Sequence, residues 1–369
     1  MADPVYFIDN DVQQRVLTIE DAIDVTERMY REWAAGRATI RPKTNMYVYD
    51  DDGEHRYGFS TMEGGSQELG VVAIRIKSDV QPIRREAPRP GTSLPTSASK
   101  GAGAEGMFCG LVYLFSTHTG APLAILNDGY IQHVRVAASA AVAAKHLARE
   151  DAETLCILGS QWMARTHAPA MCAVRPIKRI RVYSPDREHR EAFAKEMTGR
   201  LKIPVEVMDS PQAAVEGADI VSCCTNSFHH PVLSGEWLED GTFISNVLSS
   251  ELGEDALARV SYTVKNQPLR SLADHVFEAG SPPPGVTPRS EGAGWLRQVD
   301  EATPLLSEVV SGTARGRADR QEVTFFSNNE GTGLQFAAVG ALVLERLREH
   351  PDAGVKTMPL DWFLQDIPD

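Results

Sequence analysis

Four basic residues near the start of this chain have the types and spacing expected of a carboxylate-binding pocket. They form two pairs: Arg41 with Lys43 in one predicted strand, and Arg75 with Lys77 at the end of another. The side chains of Arg75 and Lys77 would share one face, because residues two apart on a strand point the same way. Arginine offers a bidentate fork to a carboxylate. The alternative interpretation is that all four are solvated surface charges, as most Arg and Lys residues are.

Arg135 is a further candidate for contact with an anion. It lies at the head of the Ala-rich segment 136–148, which predicts a helix because alanine has the highest helix propensity. A cation is not favoured at a helix N-terminus. This conflict favours a role toward a pyrophosphate or a substrate anion, although an ordinary first-turn position is the simpler interpretation.

Two polar segments follow predicted strands and could face a ligand. Thr225, Asn226 and Ser227 would lie in the crevice at the carboxyl end of a parallel strand, or form a plain turn. The run 328–333 includes Asn329 and two glycines. It predicts either a phosphate-binding or substrate-closing loop, or a tight turn with glycine at positive φ.

A glycine-containing turn at 159–164 joins the predicted strand 155–158 to the helical segment 162–174, and a second strand follows at 180–183. This order predicts a βαβ unit whose first turn would hold a dinucleotide pyrophosphate on a helix N-terminus. The expected fingerprint is G-x-G-x-x-G/A. The sequence reads Gly159-Ser160-Gln161-Trp162-Met163-Ala164, with glutamine at the middle glycine. Alone, this motif is weak.

The elements that must position these residues indicate two kinds of sheet. Strands predicted at 38–49, 71–76, 107–115 and 121–126 indicate an antiparallel sheet in the first 130 residues. From residue 155 onward strands alternate with helices, which predicts a Rossmann-like, doubly wound parallel sheet. The predicted fold class is therefore α/β with an additional α+β domain. The segments 84–103 and 282–294 are rich in Pro, Gly and Ser and predict loops.

Composition excludes several functions. The formal net charge of −13 over 369 residues argues against a nucleic-acid partner. The sequence has no apolar run of membrane-spanning length and no secretion signal, so we expect a cytoplasmic protein without a membrane partner. The five cysteines have no C-x-x-C spacing, and the ten histidines form no ligand pattern. We therefore expect reduced thiols and no metal site.

Six segments in a fixed order resemble the ornithine cyclodeaminase/mu-crystallin family. They are 70–76 (GVVAIRI), 120–138 (GAPLAILNDGYIQHVRVAA), 159–166 (GSQWMART), 175–184 (RPIKRIRVYS), 218–227 (ADIVSCCTNS) and 312–326 (GTARGRADRQEVTFF). The resemblance spans about residues 15–350 and implies a homodimer that acts on a small molecule carrying a carboxylate. It implies a dinucleotide-binding Rossmann domain at 134–321, and a substrate-binding and dimerisation domain formed by 1–133 and 322–369.

The resemblance also implies roles for the basic residues. The family's carboxylate-binding arginine falls near Lys43, with Arg41 as a neighbour that could replace it. Its proton-handling lysine falls on Arg75, which can hold a carboxylate but cannot readily shuttle a proton. Lys77 is therefore the candidate proton donor, and Arg135 would lie between cofactor and substrate. Asn329, in the polar run 328–333, is a further candidate for substrate binding.

The implied cofactor is NAD or NADP. The implied contacts are Arg135, Gly159, Ser160, Gln161, Met163, Ala164, Ser184, Arg187, Thr225, Asn226, Ser227 and Val247. Ser184 stands where an acidic residue would bind the ribose 2′-hydroxyl and favour NAD. Arg187 and Arg190 could meet a 2′-phosphate, which favours NADP slightly.

Three functions remain open at this point. The first is an NAD(P)-dependent imine or ketimine reductase, or an amino-acid dehydrogenase running the reverse reaction. The second is a cyclodeaminase that releases ammonia with catalytic NAD, but Ser250 occupies the place of its aspartate and Glu251 is one residue away. The third is a non-catalytic, crystallin-like binding protein.

Overall fold

Two β-sheets form the frame of the molecule. The computed structural model describes residues 4–51, 53–83, 108–227, 230–268, 276–281, 299–329, 331–350 and 352–365. The strands are β1 Val5–Ile8, β2 Ala38–Tyr49, β3 His55–Ser66, β4 Val71–Pro82, β5 Cys109–Ser116, β6 Pro122–Asn127, β7 Thr154–Leu158, β8 Arg179–Tyr183, β9 Val205–Val207, β10 Ile220–Cys223, β11 Phe243–Ser245, β12 Tyr262–Lys265, β13 Val276–Ala279, β14 Thr324–Ser327 and β15 Lys356–Met358.

The helices pack on and between these sheets. They are α1 Asn10–Val16, α2 Ile19–Ala34, α3 Asp128–Leu147, α4 Trp162–Val174, α5 Arg187–Leu201, α6 Pro211–Val215, α7 Glu254–Arg259, α8 Leu306–Ser311 and α9 Gly333–Glu349. Within the described residues, none of these helices is long and apolar enough to cross a membrane.

The eight-stranded sheet has the order β13-β2-β3-β4-β5-β6-β1-β15. Strands β2 to β6 form an antiparallel meander, whereas β1 and β13 join it in parallel at β6 and β2. Helix α9 crosses one face of this meander at close range. A Cβ on Gly64 would lie 2.2 Å from the backbone nitrogen of Leu334, so glycine is required where strand and helix touch.

The seven-stranded sheet is parallel throughout, in the order β12-β14-β11-β10-β7-β8-β9. All five residues of β7 are buried, as expected for a strand covered on both faces. The chain direction across the sheet reverses between β7 and β10, and ligands bind at such a switch point. The predicted α/β fold class is confirmed.

Helix α3 lies between the two sheets and contacts β5 of one and β11 and β14 of the other. Its alanines at 137, 138, 140, 141, 143 and 144 are fully buried. Alanine keeps the helix surface flat, so that sheets and helices can approach it from several sides. Any polar residue on this helix is therefore held in a fixed place relative to both sheets.

The prediction that Arg135 lies at the head of its helix is wrong. Helix α3 begins at Asp128, because the side chain of Asn127 caps it by accepting a hydrogen bond from the backbone N–H of Gly129 at 2.8 Å. Arg135 is thus two turns inside the helix, and the conflict with the helix dipole does not arise. Strands β1, β13 and β15 were not predicted from the sequence.

Two strands lie in a different sheet from the one expected from the predicted domain boundaries. Strand β13, inside 134–321, pairs with β2, and β14, after residue 322, lies in the parallel sheet. The division into two domains at those boundaries stays a prediction. The predicted loops at 84–103 and 282–294 lie outside the described residues.

Candidate active site

A buried ion pair joins the eight-stranded sheet to helix α3. Arg75 on β4 donates to Oδ2 of Asp128, the first residue of α3, from Nε at 2.7 Å and from Nη2 at 2.6 Å. The side chains are 7% and 4% exposed. A Cβ on Gly110 would lie 1.9 Å from Oδ1 of Asp128, so the carboxylate occupies space that a side chain on β5 would need. The pair therefore depends on that glycine.

Arg135 is a second buried guanidinium on the same helix. Its Nη1 donates to Oε1 of Gln335 at 2.8 Å, and its Nε and Nη2 donate to Oε1 of Gln132 at 3.2 and 2.9 Å. Its plane lies over the ring of Phe336 at 4.7 Å. Burial, and then the nearby charge of Arg75, lower the pKa of Arg135 to about 9. The acceptors around Arg135 are neutral amides.

A buried hydrogen-bond network holds Gln335 in place. Its Nε2 donates to the Ser139 hydroxyl at 2.5 Å and to the Tyr30 hydroxyl at 3.3 Å, and Tyr30 donates to Oδ1 of Asn266 at 2.6 Å. Burial raises the pKa of Tyr30 to about 12, so the hydroxyl stays protonated. Asn328 continues the network, donating at 2.9 Å to the carbonyl of Val136. The network ties α2, α3 and α9 to the ends of β12 and β14.

Lys77 lies two residues beyond Arg75 on the same face of β4. Its Nζ is 2.8 Å from Oδ2 of the buried Asp79 and 4.5 Å from the centre of the Phe108 ring. The Lys77 side chain is 21% exposed, compared with 7% for Arg75. The structure thus places a solvent-accessible ammonium next to the buried ion pair.

The bulge in β2 separates the other two predicted cations. Arg41 is opposite Glu63, and Glu63 is opposite Ile74, so Arg41 lies on the face of the sheet away from Arg75. There its guanidinium donates to Glu63 at 2.6 and 3.1 Å. The register shifts between Arg41 and Thr44. Lys43 adjoins Thr44 and falls on the Arg75 face, where it is half-buried.

The glycine turn has the backbone geometry that a pyrophosphate requires. Gly159 has φ +117°, and a Cβ there would lie 2.3 Å from the carbonyl oxygen of Cys224. Helix α4 starts after Gln161, whose side chain makes no capping hydrogen bond. Its Nε2 instead lies 3.3 Å from Nδ1 of His189, on the exposed side. The first N–H groups of α4 are therefore left for an anion, which fits a dinucleotide.

Residues next to this turn are arranged as the motif requires. Ala164 is buried and Met163 is half-buried on the first turns of α4. The Ser160 and Ser184 hydroxyls lie 2.9 Å apart, which joins the glycine turn to the end of β8. Asn226 is exposed at the end of β10. The turn at 159–164, Ser184 and Asn226 thus lie at the carboxyl ends of neighbouring strands of this sheet.

The cations that favoured a 2′-phosphate both have protein partners. Arg187 is 74% exposed and donates to Glu191 at 2.7 Å. Arg190 is buried and donates to the carbonyl oxygen of Ser184 at 2.7 Å. The slight preference for NADP stays a prediction.

Glu251 fastens the two loops that follow β10 and β11. Its Oε1 accepts from the backbone N–H and the hydroxyl of Thr225, each at 2.7 Å. Its Oε2 accepts from the backbone N–H groups of Val247 and Leu248, each at 2.8 Å. Burial raises the pKa of Glu251, although these hydrogen bonds oppose the shift. The adjacent Ser250 donates to the carbonyl oxygen of Ser227.

Four residues of the site have no distinctive pattern in the sequence: Asp128, Gln132, Gln335 and Tyr30. Their importance comes from contacts between distant positions, since the Arg135–Gln335 hydrogen bond joins residues 200 apart in the chain. The one local signal was the Asn127-Asp128 pair, which is typical of a helix start.

Comparisons with known proteins identify the family of this chain. A model described as the Ornithine cyclodeaminase/mu-crystallin family matches residues 97–350. An uncharacterized cyclodeaminase of Sinorhizobium fredii is 31% identical over 352 residues, covering 92% of this chain and 95% of that protein. A Delta(1)-pyrroline-2-carboxylate reductase of Bacillus cereus is 33% identical over 342 residues, covering 91% and 94%.

Solved structures share the fold at lower sequence identity. The Thermococcus litoralis Delta(1)-pyrroline-2-carboxylate reductase, solved with NADH and L-proline, has a TM-score of 0.73 at 22% identity, covering 94% of this chain and 98% of that one. An archaeal alanine dehydrogenase dimer with bound NAD has a TM-score of 0.72 at 20% identity, covering 96% and 99%.

Proposed function

Since the chain belongs to the ornithine cyclodeaminase/mu-crystallin family, we propose that it is an NAD(P)-dependent oxidoreductase acting on the C–N bond of a small carboxylate. It reduces an imine or ketimine next to the carboxylate, or oxidises the corresponding amino acid. The observation that carries this proposal is the buried pair of guanidiniums, Arg75 and Arg135, with Asp128 beside them. A substrate carboxylate supplies the missing negative charge.

The carboxyl edge of the parallel sheet would hold the dinucleotide. The Gly159 turn and the N-terminus of α4 fit its pyrophosphate, and the loops fastened by Glu251 flank it. When bound, the dinucleotide supplies or accepts the hydride. The protein's own contribution is to place the substrate and to handle charge and protons.

The basic residues of β4, α3 and β2 would orient the substrate. Arg135 and Arg75 bind the carboxylate, with Lys43 on the same face of the sheet. Lys77 holds its ammonium at the accessible end of this row and delivers the proton to the imine nitrogen. Asn329, half-buried after β14, adds a polar contact at the rim. Arg41 would act instead on the opposite face of the sheet, where it binds Glu63.

A cyclodeaminase reaction fits the site less well. The place of the family's aspartate is held by Ser250, whose hydroxyl donates to the backbone of Ser227. The adjacent Glu251 is fully buried, and both of its oxygens accept backbone hydrogen bonds. Neither residue offers a carboxylate to a bound amino group.

The outer face of the eight-stranded sheet supports a homodimer. Met46, Val48, Tyr57 and Phe277 are 46%, 41%, 37% and 57% exposed in the single chain, and the strand registers place them side by side. A contiguous apolar patch of this kind is typical of a protein–protein interface. Light scattering should give twice the 40.4 kDa chain mass, and Met46→Glu should give a monomer.

Initial rates of NADH and NADPH oxidation test the proposed function. The substrates are Δ1-pyrroline-2-carboxylate, Δ1-piperideine-2-carboxylate, and pyruvate with ammonia. We expect oxidation with at least one of them, and no ammonia release from ornithine in the absence of added NAD(P)H. Ammonia release without net oxidation would instead identify a cyclodeaminase. Dinucleotide binding without either reaction would identify a binding protein.

A further inference from the structure

Arg135 has an unusual environment for a buried cation. In the part of the chain that the structure describes, its hydrogen-bond acceptors are Oε1 of Gln335 and Oε1 of Gln132, and the Phe336 ring lies beneath its guanidinium. Buried charges in proteins are normally matched by an opposite charge. Here the nearby carboxylate, Asp128, bonds the other guanidinium.

Resting on the proposed function, we propose that Gln335 and Gln132 are specificity-determining residues that hold Arg135 by neutral amide oxygens and so reserve its charge for the substrate carboxylate. A glutamate at either position would accept the same hydrogen bonds from Arg135 and would also neutralise the guanidinium. The amides fix the position of Arg135 without competing with the ligand for its charge.

Gln335 is the more constrained of the two. Its Oε1 accepts from Arg135 at 2.8 Å and from the backbone N–H of Thr332 at 3.0 Å, while its Nε2 donates to the Ser139 and Tyr30 hydroxyls. The orientation of the amide is therefore determined, with oxygen toward Arg135 and nitrogen toward the hydroxyls. Gln335 is fully buried, so its effect on Arg135 is little screened by solvent.

The backbone of the loop after β14 passes Arg135 at a glycine, Gly331. A Cβ on Gly331 would lie 1.7 Å from Nη1 of Arg135, so the loop after β14 can pass the guanidinium because this residue is glycine. The close passage leaves no room for a side chain, and an anionic one in particular, at this position. Among the residues that the structure describes, neither the helix nor this loop places a carboxylate on Arg135.

Paired ligands test this assignment by isothermal calorimetry. The probes are pyrrole-2-carboxylate and its uncharged analogue pyrrole-2-carboxamide, measured with NAD⁺ present. The wild type should prefer the carboxylate at least tenfold. Gln335→Glu should abolish that preference, since a charge-assisted hydrogen bond is worth about 1.5–3 kcal/mol, or roughly 10- to 100-fold in Kd.

Two variants separate the added charge from other effects. Gln335→Met removes the same hydrogen bonds without adding charge, and it should keep most of the preference. Gln13→Glu also buries a carboxylate, but Gln13 bonds the backbone of Asn127 and Ile131 and not Arg135. This variant should keep the full preference for the carboxylate ligand. Melting temperatures of the three variants confirm that each protein is folded.

An unchanged preference in Gln335→Glu would overturn the assignment. Weakened NAD⁺ binding with the preference intact would also overturn it, because Arg135 would then serve the cofactor. The proposed function is judged separately by NAD(P)H oxidation in the wild type. A protein that binds the carboxylate selectively without turnover would refute the reaction and leave the role of Gln335 standing.

Discussion

The substitution Asp128→Asn tests the charge balance of the site most severely. It keeps the shape of the side chain but removes the negative charge next to Arg75 and Arg135. In the native protein Oδ2 of Asp128 accepts from Arg75 at 2.6 and 2.7 Å, with both side chains almost fully buried. Removing one partner of a buried ion pair typically costs about 3–5 kcal/mol, because the remaining charge is left uncompensated.

For a chain of this length such a loss corresponds to a fall in melting temperature of about 5 °C. The ligand response should change in the opposite direction. A carboxylate ligand restores the missing charge, so pyrrole-2-carboxylate should raise the melting temperature of Asp128→Asn more than that of the wild type. Differential scanning calorimetry with and without the ligand measures both effects.

Asp79→Asn is the matched control. Asp79 is also buried, on the same face of β4, but its partner Lys77 is 21% exposed. Because water can solvate the Lys77 ammonium, Asp79→Asn should lower the free energy of unfolding by less than Asp128→Asn does. An Asp128→Asn protein as stable as the wild type would refute the charge balance described here. A ligand response no larger than that of Asp79→Asn would refute it as well.

Three further predictions concern the proton donor, the cofactor loops and acid stability. Lys77→Met should lower kcat by about 100-fold or more, because a general acid typically contributes that much, and should leave the Kd for NADH unchanged. Stopped-flow turnover and cofactor titration measure the two quantities. An unchanged kcat would exclude Lys77 as the proton donor. Glu251→Gln should destabilise the protein by about 2–4 kcal/mol, because the amide NH₂ cannot accept the hydrogen bonds that Oε1 or Oε2 now accepts. It should also raise the KM for the cofactor. Urea unfolding and steady-state kinetics measure the two effects, and a variant as stable as the wild type would contradict the role of Glu251 in holding the loops. Burial lowers the pKa of His167 to about 4 from an ordinary value of 6.5. The unfolded chain therefore binds the extra proton between those pH values, and stability falls as pH drops through that window, by about 2 kcal/mol from pH 7 to 4.5. His167→Gln should remove that loss in urea unfolding at the two pH values, and an identical loss in the variant would assign the acid sensitivity elsewhere.

The fold was largely predictable because its organising segments have strong local patterns. Residues 155–158 of strand β7 are an unbroken apolar run, and the glycine after it is followed by a helix, which together indicate a Rossmann-like unit. Strands β13 and β15 have four and three residues and weak patterns of their own. They form because a sheet edge is available to pair with, which the local sequence does not reveal.

The start of α3 shows how a local signal can mislead. The Ala-rich segment 136–148 predicts a helix that starts at about residue 136, whereas Asn127 caps α3 and Asp128 opens it. The cap also brings Asp128 to Arg75, across 53 positions of sequence. The error in the helix boundary therefore concealed the partner of the most important predicted cation.

The charged residues of the site could be found from the sequence, whereas the neutral ones could not. Arg75, Lys77 and Arg135 attract attention because cations on strands and helix starts in an acidic chain suggest an anionic ligand. Gln132 and Gln335 resemble any other glutamine until the fold brings them to Arg135. The bulge that turns Arg41 away from the site is likewise a property of strand register, which depends on the neighbouring strand.

The central claim is that hydride passes to the carbon next to the substrate carboxylate. The direct measurement is turnover of Δ1-pyrroline-2-carboxylate with NADH or NADPH deuterated at C4, followed by mass spectrometry and NMR of the product. We predict proline that carries one deuterium at Cα, formed with stoichiometric oxidation of the dinucleotide. Proline without deuterium at that carbon, or no oxidation with any carboxylate imine, would contradict the account.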